Sequence, residues 1–418
     1  MIFIFILIIL AILGMPLFAI LASAGIYASN SSDLDPVVLI IEMYRLANQP
    51  NLIAIPLFTL AGITMAAGGA PKRLIILFNA LFGWMPGGLA IVTIVSCAFF
   101  TALTGASGVT IIALGGLLYP LFQKAQYHQS FTTGLLTTSG SLGLLFPPSL
   151  AVILYGIISG VSIDELFLAG IIPSLILLLL LSLHSYRSAS KWNVKSHTFS
   201  FTNLLHAIKA SYWDLLLPVI IIVGIFGGIL TITEAAAITA IYSLFIETII
   251  YKELRIKSDL FKILIDTSTL VGSILIILGV AMGLTNLLID SQLPMRLLQI
   301  VTDNISSQLQ FLILLNIFLL AIGSIMDIFS AIIVVAPLIF PLARQYNIDP
   351  VHLGIIFLAN LEIGYLTPPV GINLFIACQR FSKPILEIFR STLPFLIIMI
   401  IWLMLISYMP SLSLWWRD

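Results

Sequence analysis

Two polar interruptions in a hydrophobic chain hold the residue types that bind small ions. The first pairs the tip Thr104-Gly105-Ala106-Ser107 with the run from Ser139 to Ser149, which contains Gly143 and Pro147-Pro148. The second pairs Ser324–Asp327 with Asn360–Thr367, which contains Glu362 and Gly364 and runs into Pro368-Pro369. Proline lacks a backbone donor and breaks helical bonding, so these interruptions release carbonyls and amides. Such groups survive at membrane depth only where they are buried in protein or line a polar cavity. A cation on the freed carbonyls, with an anion at the half-helix N-termini, satisfies both sets. Asp327 adds a carboxylate in the apolar setting AIGSIMDIF. Ionised and unpaired there, it would cost at least ~2.5 kcal/mol. A hard cation such as sodium compensates it through oxygen ligation, and the same residue can cap a helix from Ile328 onward. Glu362 is open between ion ligand, proton carrier and structural pair. Asn373, after PPVGI, either donates to a substrate or bonds between helices. Glu234, at the turn between two spans, reads as a helix cap or an interfacial residue.

Catalysis finds little support. The five His (His128, His184, His197, His206, His352) lie in loops or at the ends of apolar runs, without metal-ligand spacing. Cys97 and Cys378 are far apart in apolar surroundings and imply neither a disulfide framework nor a metal motif. TGASG has a Gly-x-Ser pattern but no strand–turn–helix context for a nucleophile elbow. No Lys or Arg sits deep in the candidate core, so an anionic substrate would be recognised by helix termini and by hydroxyls such as Thr104, Ser107 and Ser149. No organic cofactor is implied; the coupling ion would be the bound group.

The elements that position these residues are membrane spans. The chain has 418 residues, 60% hydrophobic and 9% charged, with formal charge zero. Soluble domains carry roughly 25% charged residues, and the apolar runs recur at helical-span length, about 20 residues. No basic patch suggests nucleic acid. The sequence predicts an all-α polytopic protein of nine full spans and two re-entrant hairpins, with Met1–Tyr27 as a retained first span. Pro120, Pro147, Pro148 and Pro173 fall on Pro341, Pro368, Pro369 and Pro394 at one ungapped offset, and Gly143 falls on Gly364. Paired interruptions in two halves mark the binding site of a secondary transporter. Walking sides from an inside N-terminus puts 14 basic residues inside and only Arg45, Arg296, Arg344 and Arg417 outside. The repeats are therefore read as inverted.

The predicted division runs as follows: 1–88, scaffold spans and an arm; 89–185, repeat 1, with hairpin 89–120 and broken helix 131–160; 186–213, a polar linker. Scaffold spans and a second arm from Pro294 occupy 214–308. Repeat 2 occupies 309–418, with hairpin 309–341 and broken helix 352–378. The hairpin arms, at ~15 residues each, are expected to be too short to cross ~30 Å of hydrocarbon. Trp402, Trp415 and Trp416 read as interfacial anchors.

The blocks FFTALTGASGVTIIALGGLLYP, GLLTTSGSLGLLFPPSLAVILYG, GSIMDIFSAIIVVAPLIFPLA and LEIGYLTPPVGINLFIA, in this order, resemble the large membrane subunit of tripartite ATP-independent periplasmic (TRAP) transporters. The resemblance covers essentially the whole chain. It implies an elevator-type carrier in the bacterial inner membrane, braced by a small four-helix membrane subunit and supplied with an organic acid by a periplasmic binding protein. It also implies sodium coupling. One ion site would use Gly105, Ser107 and the backbone from Gly143 to Pro147; the other would use Asp327, Asn360, Gly364 and Thr367. Many members have a tip resembling SGSA where this chain has Thr104-Gly105-Ala106-Ser107, which shifts the hydroxyl register. A standalone sodium–carboxylate symporter of the same two-hairpin design is the alternative. A channel or structural membrane protein is the contrast from another class.

Overall fold

The computed structural model describes residues 6–7, 9–10, 15–31, 35–191, 198–290, 299, 303, 305 and 307–417. Regular structure among them is helical. The first half holds α1 (Leu17–Ser31), α2 (Val37–Ala47), α3 (Ala54–Ala67), α4 (Ala70–Phe82), α5 (Gly88–Thr104) and α6 (Ser107–Lys124). It continues with α7 (Gln129–Ser139), α8 (Leu150–Ser159) and α9 (Ile163–Lys191). Then follow α10 (Phe201–Phe226), α11 (Ile232–Phe245), α12 (Asp259–Asp290), α13 (Gln308–Ile325) and α14 (Ile328–Gln345). The last are α15 (Pro350–Gly364), α16 (Ile372–Phe381) and α17 (Ile385–Tyr408). Eight helical stretches among the described residues are long and apolar enough to cross a membrane. Residues 1–5, 8 and 11–14 of the expected first span, and nearly all of the second arm from Pro294, lie outside the described residues.

The repeat seen in the prolines is a repeat of whole elements. Helices α5 to α9 match α13 to α17 in order, and the two hairpin turns, Gly105-Ala106 and Met326-Asp327, match in position. Both hairpins re-enter. Gly87, before α5, packs on Ser185 and Ala189 of α9. Tyr127, after α6, stacks on Phe131, and Phe131 stacks on His184 of the same helix. Both ends of the first hairpin therefore meet the end of α9. In the second, Phe311 at the start of α13 stacks on Tyr346 just past α14, with ring centroids 4.5 Å apart.

The repeats are inverted. Ser130, at the start of α7, bonds Ser391 near the start of α17. Arg417 bridges Asp349, which caps α15, to Glu165 at the start of α9. Since α7 and α8 together carry the chain from one face to the start of α9, α15 begins on the face opposite α7. The helices pack in two groups. One holds α1–α4 with α10–α12, and the other holds the two repeats α5–α9 and α13–α17. They meet where α12 crosses α14, and where α3 and α4 meet α5.

Two expectations, on the hairpin ends and on Trp402, are corrected, and the polar linker gains detail. The hairpin arms do not end at Pro120 and Pro341: α6 runs to Lys124 and α14 to Gln345, so the arms of both hairpins span 17 or 18 residues. Each proline removes one helical bond, which is tolerated where neighbouring groups take up the freed carbonyl. The polar segment 186–213 is mostly helix, because α9 continues to Lys191 and α10 begins at Phe201, capped by Ser200. Lys and Arg are good helix formers, so charge there marks helix ends outside the apolar layer. Trp402 is not an anchor: it is fully buried and donates its indole N–H to the Pro173 carbonyl at 2.8 Å. Trp415 is exposed as expected. Glu234 caps α11 in a reciprocal box with Thr231.

Candidate ion and substrate site

Each break is seated by a glycine. A Cβ on Gly143 would run into the Ala98 carbonyl and the Ala102 amide of α5, and one on Gly364 would run into the backbone of Gly323 on α13. These equivalent positions let each break lie directly on the first arm of its own hairpin. Gly105 sits at φ +66°, the left-handed value that turns α5 into α6, and any side chain there would meet Leu150.

The first tip is neutral. Ala106 occupies the N-cap of α6 and supplies no capping side chain. Thr101 donates to the Gly140 carbonyl at 2.8 Å, tying the hairpin to its own break. Ser107 instead donates to Asn373 Oδ1 of the other repeat, also at 2.8 Å. Thr104, Thr138, Ser139 and Ser149 are buried, and their hydroxyl oxygens have no hydrogen-bond partner among the described residues. Pro147 and Pro148 are buried and joined by a cis bond; Pro368 and Pro369 are also joined by a cis bond but are exposed.

The second tip is charged and self-capped. Asp327 Oδ1 accepts from the Phe329 and Ser330 amides at 3.0 Å each, and Oδ2 accepts from the Ser330 hydroxyl. The Tyr365 hydroxyl accepts from the Ile328 amide at 2.7 Å, and the Ser324 carbonyl takes the Val370 and Gly371 amides. Thr367 turns its hydroxyl back to the Ile363 carbonyl at 2.9 Å. Asn360 spends both amide hydrogens, on Asn316 Oδ1 and on the Ile356 carbonyl, each at 2.8 Å. Its own Oδ1 is left buried without a partner among the described residues. Glu362 is fully buried and neither of its oxygens has a partner, so the structural-pair reading has no support among the described residues.

The two tips converge. Gly105–Gly108 and Asp327–Ser330 line one cavity of about 290 Å³, with Tyr365 and Ile372 on its wall. The opposite wall is α12, through Leu270, Ser273, Ile274 and Ile277. The cavity therefore lies between the two packing groups, with the N-termini of α6, α14 and α16 lining it. Of the sequence-predicted residues, Gly105, Ser107 and Asp327 line this cavity; Thr104 and Ser149 are buried beside the first tip's elements, and Asn373 is joined to it through Ser107. Gly143 and Gly364 serve the packing of the breaks, and Pro147 is buried within the first.

Sequence reasoning missed three features. Tyr365 carries no motif of its own. Asn316 donates to Ser407 Oγ at 3.2 Å, and the His352 ring meets the Ser407 carbonyl at 3.4 Å, extending a buried polar chain from Asn360. Arg73 of α4 is buried against Asp214 at 2.6 Å, Glu253 at 2.8 Å and Glu247, with the Tyr251 ring 3.6 Å away. That network ties the arm α4 to α10 and to the segment just past α11.

The family model for the DctM component of the tripartite ATP-independent periplasmic transporter matches residues 1–412. The chain belongs to that family. It is a large permease component of a TRAP transporter, a transport protein rather than an enzyme. It is 37% identical over 377 residues to a C4-dicarboxylate TRAP transporter large permease protein of Pseudomonas aeruginosa, covering 90% of this chain and 88% of the relative. It is 33% identical over 413 residues to an ectoine TRAP transporter large permease protein of Halomonas elongata, covering 98% and 96%. The crystal structure of the Alcanivorax borkumensis YdaH transporter aligns with a TM-score of 0.65 at 14% identity, covering 89% of this chain and 87% of that one. That likeness concerns the fold alone.

Proposed function

We propose that this TRAP permease couples an inward sodium gradient to uptake of an organic acid in the bacterial inner membrane. A periplasmic binding protein hands over the acid, and a small membrane subunit braces the group formed by α1–α4 and α10–α12. The repeats α5–α9 and α13–α17 move against that brace as an elevator. The observation that carries this reading is the single cavity bounded by both re-entrant tips and by α12. A site on the seam between two groups can face either side when one group slides.

Sodium, when bound, supplies positive charge to oxygen ligands that would otherwise go unpaired. The donor set fits: the partnerless oxygens of Thr104, Thr138, Ser139 and Ser149 belong to the first tip and break, and Asn360 Oδ1 to the second. Asp327 contributes the charge and Thr367 a further oxygen. The N-terminus of α6, free of any capping side chain, is suited to a carboxylate, with Ser107 and Asn373 beside it. C4-dicarboxylates and ectoine, named for two relatives, both carry carboxylates. The test needs no substrate: thermal stability of the purified protein in sodium against potassium at equal ionic strength. An ion at 100 times its dissociation constant adds about 2.7 kcal/mol if it binds only the folded state. A sodium-specific rise is expected; equal stability in both salts would overturn sodium coupling.

A further inference from the structure

The cavity at the tips contains no Lys or Arg among its described lining residues. An organic anion therefore needs attraction from elsewhere to reach it. A second cavity, of about 470 Å³, lies farther along the same two helices, between α12 (Met282, Thr285, Asn286) and α14 (Pro337, Phe340, Pro341), and ends at Arg344. Both cavities share Ile333, so they abut on one seam. Positions 333, 337, 340/341 and 344 recur every three or four residues, which places them on one face of α14. Arg344 stands at the end of that face, exposed, and makes no ion pair among the described residues.

We propose that this seam is the entry path for the organic anion, and that Arg344 recruits it there. The inference rests on the reading of the substrate as an acid and adds where it enters. Pro337 and Pro341 lie inside α14 and have no N–H, so the carbonyls of Ile333 and Pro337 lose their helical partners. Freed carbonyls on a seam need water rather than lipid. A hydrated, mostly apolar channel with one cation, an amide and a hydroxyl at its mouth suits a small carboxylate or sulfonate with a hydrocarbon body. Arg344 lies five residues before Asp349, on the face where Arg417 and Glu165 also meet. That is the face opposite the start of α7, and the one the basic-residue distribution assigns to the outside.

The experiment reads charge and access without knowing the substrate. In full-length protein within membranes, Cys97 and Cys378 are replaced by Ala and one cysteine is introduced by Asn286→Cys or Ile333→Cys. Modification rates are compared for a small sulfonate-bearing methanethiosulfonate and its trimethylammonium counterpart, added from that face. At low salt the sulfonate reagent is expected to be favoured roughly threefold at the Asn286→Cys position, the scale of one charge several ångströms away in water. Arg344→Gln should remove that preference, and Arg344→Lys should keep it. Ile333→Cys should react with both reagents. An unchanged ratio in Arg344→Gln would overturn the recruiting role. A reactive Asn286→Cys with an inert Ile333→Cys would overturn the path. Labelling only by an apolar long-chain maleimide would assign the seam to lipid instead. If sodium coupling fails, it fails in the thermal-stability comparison and leaves these rates unaffected.

Discussion

The two repeats have the same backbone and different chemistry. Helix for helix they match, and each break lies on the first arm of its own hairpin through an equivalent glycine. At the tips they part. Ala106 stands where the second copy has Asp327, and Ser107 where it has Ile328. The second tip closes on itself through Asp327, Tyr365 and Ser324, whereas the first borrows Asn373 from its partner repeat. Burial differs as well: the first break is buried almost throughout, while Pro368, Pro369 and Val370 are exposed. The backbone interruption is the shared feature, and each copy has filled it with its own donors. The first is rich in neutral hydroxyl oxygens; the second holds the carboxylate.

The largest effect should come from attacking what the copies share. Gly143→Val and Gly364→Val each force a side chain into backbone, so transport should be lost in both and stability should fall by about 1–3 kcal/mol. Thermal unfolding and uptake in proteoliposomes measure this. Loss in one variant only would show that the equivalence does not extend to function. Next is the charge that separates them. Asp327→Asn keeps a cap but removes the carboxylate, and should weaken sodium dependence about tenfold, the equivalent of ~1.4 kcal/mol. Unchanged sodium dependence would take Asp327 out of the site. Removing neutral oxygens from the first copy, by Thr104→Val with Ser149→Ala, should weaken sodium dependence by less than Asp327→Asn does. A larger loss than that would reverse the assignment of the charged tip as the stronger site. The smallest effect belongs to Trp402→Phe, which deletes the bond to Pro173 and should cost about 1 kcal/mol of stability with transport retained.

What the sequence disclosed was what local residues dictate. Proline and glycine act on their own segment of chain, so the breaks, the hairpin turns and their pairing across the halves were readable from spacing alone. Asp327 and Glu234 as caps follow from the residues just after them. Long-range partners were not readable. The partners of Arg73 leave no local trace, because Asp214 and Glu247 lie 141 and 174 residues away. Trp402 looked interfacial because burial against Pro173, 229 residues distant, leaves no local trace. The first tip was paired with its own break, which holds through Thr101 and Gly140, but the contact of Ser107 with Asn373 spans 266 residues. Pro120 and Pro341 misled because a membrane helix whose freed carbonyl finds another partner passes through a proline.

The convergence of the two copies on one cavity is tested most directly at that last contact. In protein lacking Cys97 and Cys378, Ser107→Cys with Asn373→Cys should form a disulfide under mild oxidation, read by mass spectrometry of the linked peptides. Ser107→Cys with Val152→Cys, the position equivalent to Asn373 within the first repeat, should link far more slowly. Rapid linkage of the first pair is the predicted result. Preferential linkage of the second pair would contradict the account, since each tip would then close on its own repeat and no shared site would exist.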